Sequence, residues 1–116
     1  MSERALSRLV LAECGALPGV LLGHNPVGEA RYIVERTGRG YVVPYGWPAP
    51  GGPDLIAVVR SRAGIGRFLG LELKSETGVS SGAQRACHRA IEAAGGLVRV
   101  VRSVEEARRA IEEARR

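Results

Sequence analysis

Apolar positions near the N-terminus recur at helical spacing. Ser2 caps a helix running to about Glu13, with Glu3, Leu6, Val10 and Glu13 on one stripe, and Gly15 and Pro18 end it. A short apolar segment, Val20 to Leu22, leads into the turn His24-Asn25-Pro26. Ala30 to Glu35 and Tyr41 to Val43 then pair as strands across Thr37-Gly38-Arg39-Gly40. From Pro44 to Pro53 the chain holds too much proline and glycine for a regular element, which predicts an exposed loop. That loop carries the only tryptophan, Trp47, whose ring either stacks on a partner or pins the loop to the body.

Beyond the loop the pattern changes. Two strands, Asp54 to Val59 and Arg67 to Lys74, fold back about Ser61 to Gly66 as an antiparallel hairpin. Ser81 caps a helix to about Ala94, with Gln84, Cys87, Ile91 and Ala94 on one stripe, and Gly95-Gly96 ends it. Leu97 to Val101 reads as a strand. Ser103-Val104-Glu105-Glu106 is a capping box opening a last helix with the stripe Val104, Ala107, Ile111 and Ala114. Helix, several strands, helix, strand, helix is the order of an α/β domain, a mixed sheet flanked by helices.

At 116 residues the chain reads as one domain, residues 1–116, with a modest core. Its formal charge of +5 comes almost wholly from arginine, which favours a polyanionic partner, since guanidinium groups bond phosphates in pairs. Arg60, Arg62 and Arg67 at the hairpin tip, and Arg85, Arg89, Arg99 and Arg102 on or near the later helix and strand, are the candidate phosphate contacts. Cys14 and Cys87 lie in separate elements without metal-ligand spacing, and His24 and His88 add no ligand set, so all four read as packing or surface residues. With no apolar run long enough to span a membrane and no signal-peptide pattern, the expectation is a soluble, cytoplasmic protein.

The only aspartate, lysine and glutamine of the chain, Asp54, Lys74 and Gln84, fall in one stretch together with Glu72. On the second strand, period two places Glu72 and Lys74 on one face and Leu71 and Leu73 on the other. The hairpin brings Asp54 opposite that end. Two carboxylates, with the carbonyl of Leu73 as a third candidate ligand, suit Mg2+, because magnesium accepts one or two carboxylates and keeps several waters. Lys74 can orient an attacking water or neutralise charge growing on a phosphate, and Gln84, at the polar end of an apolar stripe, should point inward and steady a ligand. Phosphodiester hydrolysis needs these components. The plainer alternative is a salt-bridged cluster of Asp54, Glu72 and Lys74 without chemistry.

Gly52-Pro53-Asp54-Leu55-Ile56, Leu71-Glu72-Leu73-Lys74, Gln84, Ala94-Gly95-Gly96 and Val100-Val101-Arg102-Ser103 together resemble the VRR-NUC branch of the PD-(D/E)XK nuclease superfamily, in the small stand-alone form carried by phages and prophages. The resemblance implies a restriction-endonuclease-like αβββαβ core, Mg2+ or Mn2+ at Asp54 and Glu72, Lys74 as the catalytic lysine and Gln84 as the motif glutamine. It also implies a glutamate on the first helix, matched by Glu3, with Glu13 as the alternative. Stand-alone members of this branch are similar to Holliday-junction resolvases, so the expected activity is metal-dependent cleavage of branched double-stranded DNA by a homodimer. Rival expectations are a less selective or nicking nuclease and a catalytically silent DNA-binding module.

Overall fold

A computed structural model describes residues 1–116. The elements are α1 (Glu3–Cys14), β1 (Val20–His24), β2 (Gly28–Ile33), β3 (Gly40–Tyr45), β4 (Leu55–Arg60), β5 (Gly66–Leu73), α2 (Gly82–Ala93), β6 (Leu97–Val101) and α3 (Val104–Ala114). Four strands form the central sheet in the order β1-β4-β5-β6, while β2 and β3 pair only with each other. Removing that hairpin and the last helix leaves α-β-β-β-α-β, the expected core. β4 runs antiparallel to both β1 and β5, and β6 joins β5 in parallel, so the sheet is mixed.

Strand alternation sorts the side chains into two layers. Leu55, Ala57 and Val59 of β4 and Leu69, Leu71 and Leu73 of β5 turn to one face, where Leu6, Val10 and Cys14 of α1 and Ala107, Ala110, Ile111 and Ala114 of α3 cover them. The other face holds a smaller cluster, Cys87 and Ile91 of α2 on Val98, with Phe68 and Trp47 packed against it. Trp47 therefore pins its loop to the body, its ring centroid 5.6 Å from that of Phe68. No helix is long and apolar enough to cross a membrane.

Several boundaries differ from expectation for identifiable reasons. β1 is a full strand through His24, because its backbone pairs with β4 from Val20↔Val59 to His24↔Leu55. Pro44 and Tyr45 belong to β3 rather than to the loop, since Pro44 sits in a two-stranded ribbon where its missing N–H can face outward. β2 stops at Ile33, two residues before Glu35. On α1 the buried stripe is Leu6, Val10 and Cys14; Glu13 lies beside it, pairing with Arg108 at 3.8 Å. The expected capping box at α3 is half formed: Ser103 accepts from the Glu106 N–H, but the Glu106 carboxylate takes the N–H of Arg102 instead of that of Ser103.

The radius of gyration, 16.3 Å, exceeds the roughly 13 Å of a compact chain of this length. The β2–β3 hairpin accounts for it, because its substantial contacts are all internal.

Candidate active site

The site is built on β5. Its alternation, which sends Leu69, Leu71 and Leu73 into the core, sends Phe68, Gly70 and Glu72 to the α2 face. Glu72 is 1% exposed, the only charged residue so deeply buried. Lys74 follows on the same side, its backbone N–H donating to Val101 and its Nζ 4.0 Å from Glu72 Oε2.

Asp54 stands just ahead of β4, beside the end of β5. Its Oδ2 accepts the N–H of Leu73 at 2.7 Å. Asn25, in the turn after β1, holds the preceding segment: its Nδ2 donates to the Pro53 carbonyl at 2.9 Å and its N–H to the Asp54 carbonyl at 3.0 Å. Gly70 permits this approach, since a Cβ there would lie 2.7 Å from the Pro53 ring.

α2 completes the pocket from above. Ser81 and Gln84 form a full capping box, the Gln84 Oε1 accepting from the Ser81 N–H at 2.8 Å. The Nε2 of the same side chain donates to Glu72 Oε2 at 3.0 Å. One turn on, His88 Nε2 lies 3.3 Å from Glu72 Oε1. Both oxygens of the buried carboxylate therefore have partners on α2. Burial holds the His88 imidazole below its usual pKa, favouring the neutral ring in this contact.

From below, Glu3, Arg4 and Ser7 at the start of α1 join His24, Asn25, the Ala49 to Asp54 segment and Leu73 around an open cleft of about 520 Å³. Burial, then the neighbouring Asp54 carboxyl, push the Glu72 carboxyl up to about 8; Glu3 adds in the same sense and Lys74 opposes them. Two converging carboxylates beside a lysine form an oxygen donor set that resists ionising without a cation and suits a hard divalent ion. No group of three histidine, cysteine or acidic side chains is arranged to hold a metal, so water, backbone or substrate oxygens would complete any shell.

The fold thus brings together Glu3, Asp54, Glu72, Leu73, Lys74 and Gln84. Glu13 is not among them. Arg85 and Arg89 are exposed on α2, one position round from Gln84 and His88. Arg60, Arg62 and Arg67 lie at the opposite end of β4 and β5, roughly 20 Å away at strand rise. Arg99 is engaged by Glu92 and Glu113, and Arg102 by the Ser75 carbonyl, so these two serve the fold. His88 and Asn25 are the contributors that sequence reasoning missed. His88 had one available signal, its position four residues after Gln84 on the same helix face.

No protein-family model matches the chain, and no curated protein matches it significantly. Among solved structures, one described as a VRR_NUC domain superposes with a TM-score of 0.58 at 21% identity, covering 97% of each chain. From first helix to last, the chain has the fold of a VRR_NUC domain.

Proposed function

We propose that the protein is a metal-dependent DNA endonuclease that hydrolyses phosphodiester bonds, acting as a homodimer on branched DNA and foremost on four-way junctions. The observation that carries the reading is a buried Glu72, fixed by Gln84 and His88, beside Lys74 and beside Asp54, which lines an open cleft. A structural salt bridge has no need of a buried acid with two dedicated hydrogen-bond partners on a separate helix.

Asp54, through the oxygen not bonded to Leu73, and Glu72 would hold Mg2+ or Mn2+, with the Leu73 carbonyl as a third ligand. Such an ion, when bound, offsets charge on the phosphate and makes water a better nucleophile near neutral pH. Lys74 would orient that water and stabilise charge building on the phosphoryl oxygens. Gln84 and His88 hold Glu72 in one rotamer. Glu3, on the opposite cleft wall, can accept a hydrogen bond from water entering the site. Arg85 and Arg89 on α2 are proposed to meet phosphates next to the scissile bond, and Arg60, Arg62 and Arg67 phosphates farther along the duplex. Two copies related by a two-fold axis would match the symmetry of a four-way junction.

The test is cleavage of a labelled synthetic four-way junction beside linear duplex, single-strand and flap controls, with Mg2+, Mn2+ or EDTA. Wild type should make paired symmetric cuts that EDTA and Lys74→Ala abolish. Equal cutting of every substrate would remove the junction reading, and binding without cutting would leave only a DNA-binding module.

A further inference from the structure

All three tyrosines of the chain lie on one face of the β2–β3 hairpin. The register sets Tyr32 opposite Tyr41, Ala30 opposite Val43 and Gly28 opposite Tyr45, and directly opposed residues share a face. Tyr32 and Tyr41 stack at 5.2 Å. This face bears no charge, whereas Glu29 and Arg31 sit on the other. Tyr32, Tyr41 and Tyr45 are each about half exposed, and no helix or strand of the same chain covers them. A lone two-stranded ribbon is marginally stable in water, so such a face calls for a partner.

The body has a matching gap. α2 packs over β6 and leaves the same side of β1 and β4 bare. Leu21, 77% exposed, and Val58, with Ile56 and Phe68 beside them, line a shallow apolar groove of about 360 Å³.

We infer that in a two-copy assembly the tyrosine face of each hairpin lies in the β1–β4 groove of the other copy, a reciprocal exchange of arms. Charge argues against DNA as the occupant, because a nucleic-acid surface would meet an uncharged face. Area decides between ways of pairing. Three half-exposed tyrosines and Val43 beside them offer on the order of 400 Å². Arm against arm would then bury roughly 800 Å² in all, the size of a casual contact, whereas two arm-and-groove contacts bury about 1,600 Å², the size of a stable interface. The inference rests on the homodimer proposed above, but not on the cleavage chemistry.

The experiment measures mass by light scattering and sedimentation for wild type, an arm variant, Val43→Glu, and a groove variant, Val58→Arg. Both positions are solvent-exposed in the single chain, so far-UV circular dichroism should be unchanged. Wild type should have twice the 12.3 kDa chain mass. Each variant alone should be monomeric, its association weakened by about 100-fold or more, as expected for an unpaired charge at an interface core. Mixing the two variants should restore a dimer, since one native contact and one Glu–Arg contact then form. Arg31→Ala, on the opposite face of the arm, should keep the wild-type mass. A monomeric wild type overturns the inference, and if Val43→Glu then also lowers DNA affinity the arm is a DNA contact. A groove variant that stays dimeric overturns it in favour of arm-on-arm pairing. A dimer that cleaves nothing sinks the nuclease reading and leaves the exchange intact; a monomer that cleaves does the reverse.

Discussion

The backbone N–H of Leu73 donates to Oδ2 of Asp54 at 2.7 Å, so an acid outside β4 is tied to the last residue of β5. The bond spends one carboxylate oxygen on aim and leaves the other for the cleft. Asp54→Asn keeps an acceptor for Leu73 and should preserve thermal stability while lowering junction cleavage by about 10³-fold or more. Asp54→Ala loses the acceptor as well and should cost about 1–2 kcal/mol in urea unfolding. Equal stability of the two variants would show that the bond contributes nothing.

Gln84 serves two masters, the helix cap and Glu72. Gln84→Ala removes both contacts and should destabilise the chain by about 1–2 kcal/mol. Gln84→Glu keeps the capping box but turns a carboxylate toward a buried carboxylate. It should retain helix content by circular dichroism and lose cleavage, and retained cleavage would confine Gln84 to the cap.

Stability of the metal-free protein should follow the Glu72 carboxyl, raised from 4.5 to about 8 by burial and then by Asp54. Between those values the folded chain keeps a proton that the unfolded chain has released. Its contribution to stability is therefore greatest near the acid end of that window and falls as pH rises toward 8. Melting temperature in EDTA should decline across the window, and Glu72→Gln should flatten the decline. Mg2+ added at pH 8 should raise the wild-type melting temperature and leave Glu72→Gln unmoved. A wild type as flat as the variant would mean that Glu72 ionises freely.

Gly51 adopts φ +82°, and a Cβ there would lie 2.5 Å from the backbone of Ala83 and Gln84. Neither strain nor clash can be relieved by a side-chain shift, because the neighbours are the first turn of α2. Gly51→Ala should lift the Trp47 loop from that turn, cost about 2 kcal/mol or more, and open residues 46–53 to limited proteolysis. Unchanged protease resistance would mean that the loop tolerates the displacement.

Local patterns made much of this legible. Glu72 and Lys74 were readable because strand alternation puts them on one face whatever the rest of the chain does. Gln84 was readable because Ser81 fixes where α2 begins. Asn25 was not, since its bond to Pro53 spans 28 residues and no periodicity encodes it. The separation of β2 and β3 from the main sheet was equally hidden. Their pairing follows from alternating residues and a glycine turn, but which sheet a hairpin joins depends on tertiary packing. The hairpin-tip arginines cluster in sequence and lie a full strand length from Asp54.

Because Leu71 and Leu73 are buried on one face of β5 while Glu72 is buried on the other, the groups proposed to react share their backbone with the centre of the core. A slip of one residue would drive the glutamate among leucines and expose the leucines, so register and chemistry can only be lost together. The amide hydrogens of Leu71 to Leu73 should then exchange with solvent only through global unfolding, while those of the hairpin tip exchange locally. The proposed catalytic centre would be the last part of this molecule to melt, and its arms the first.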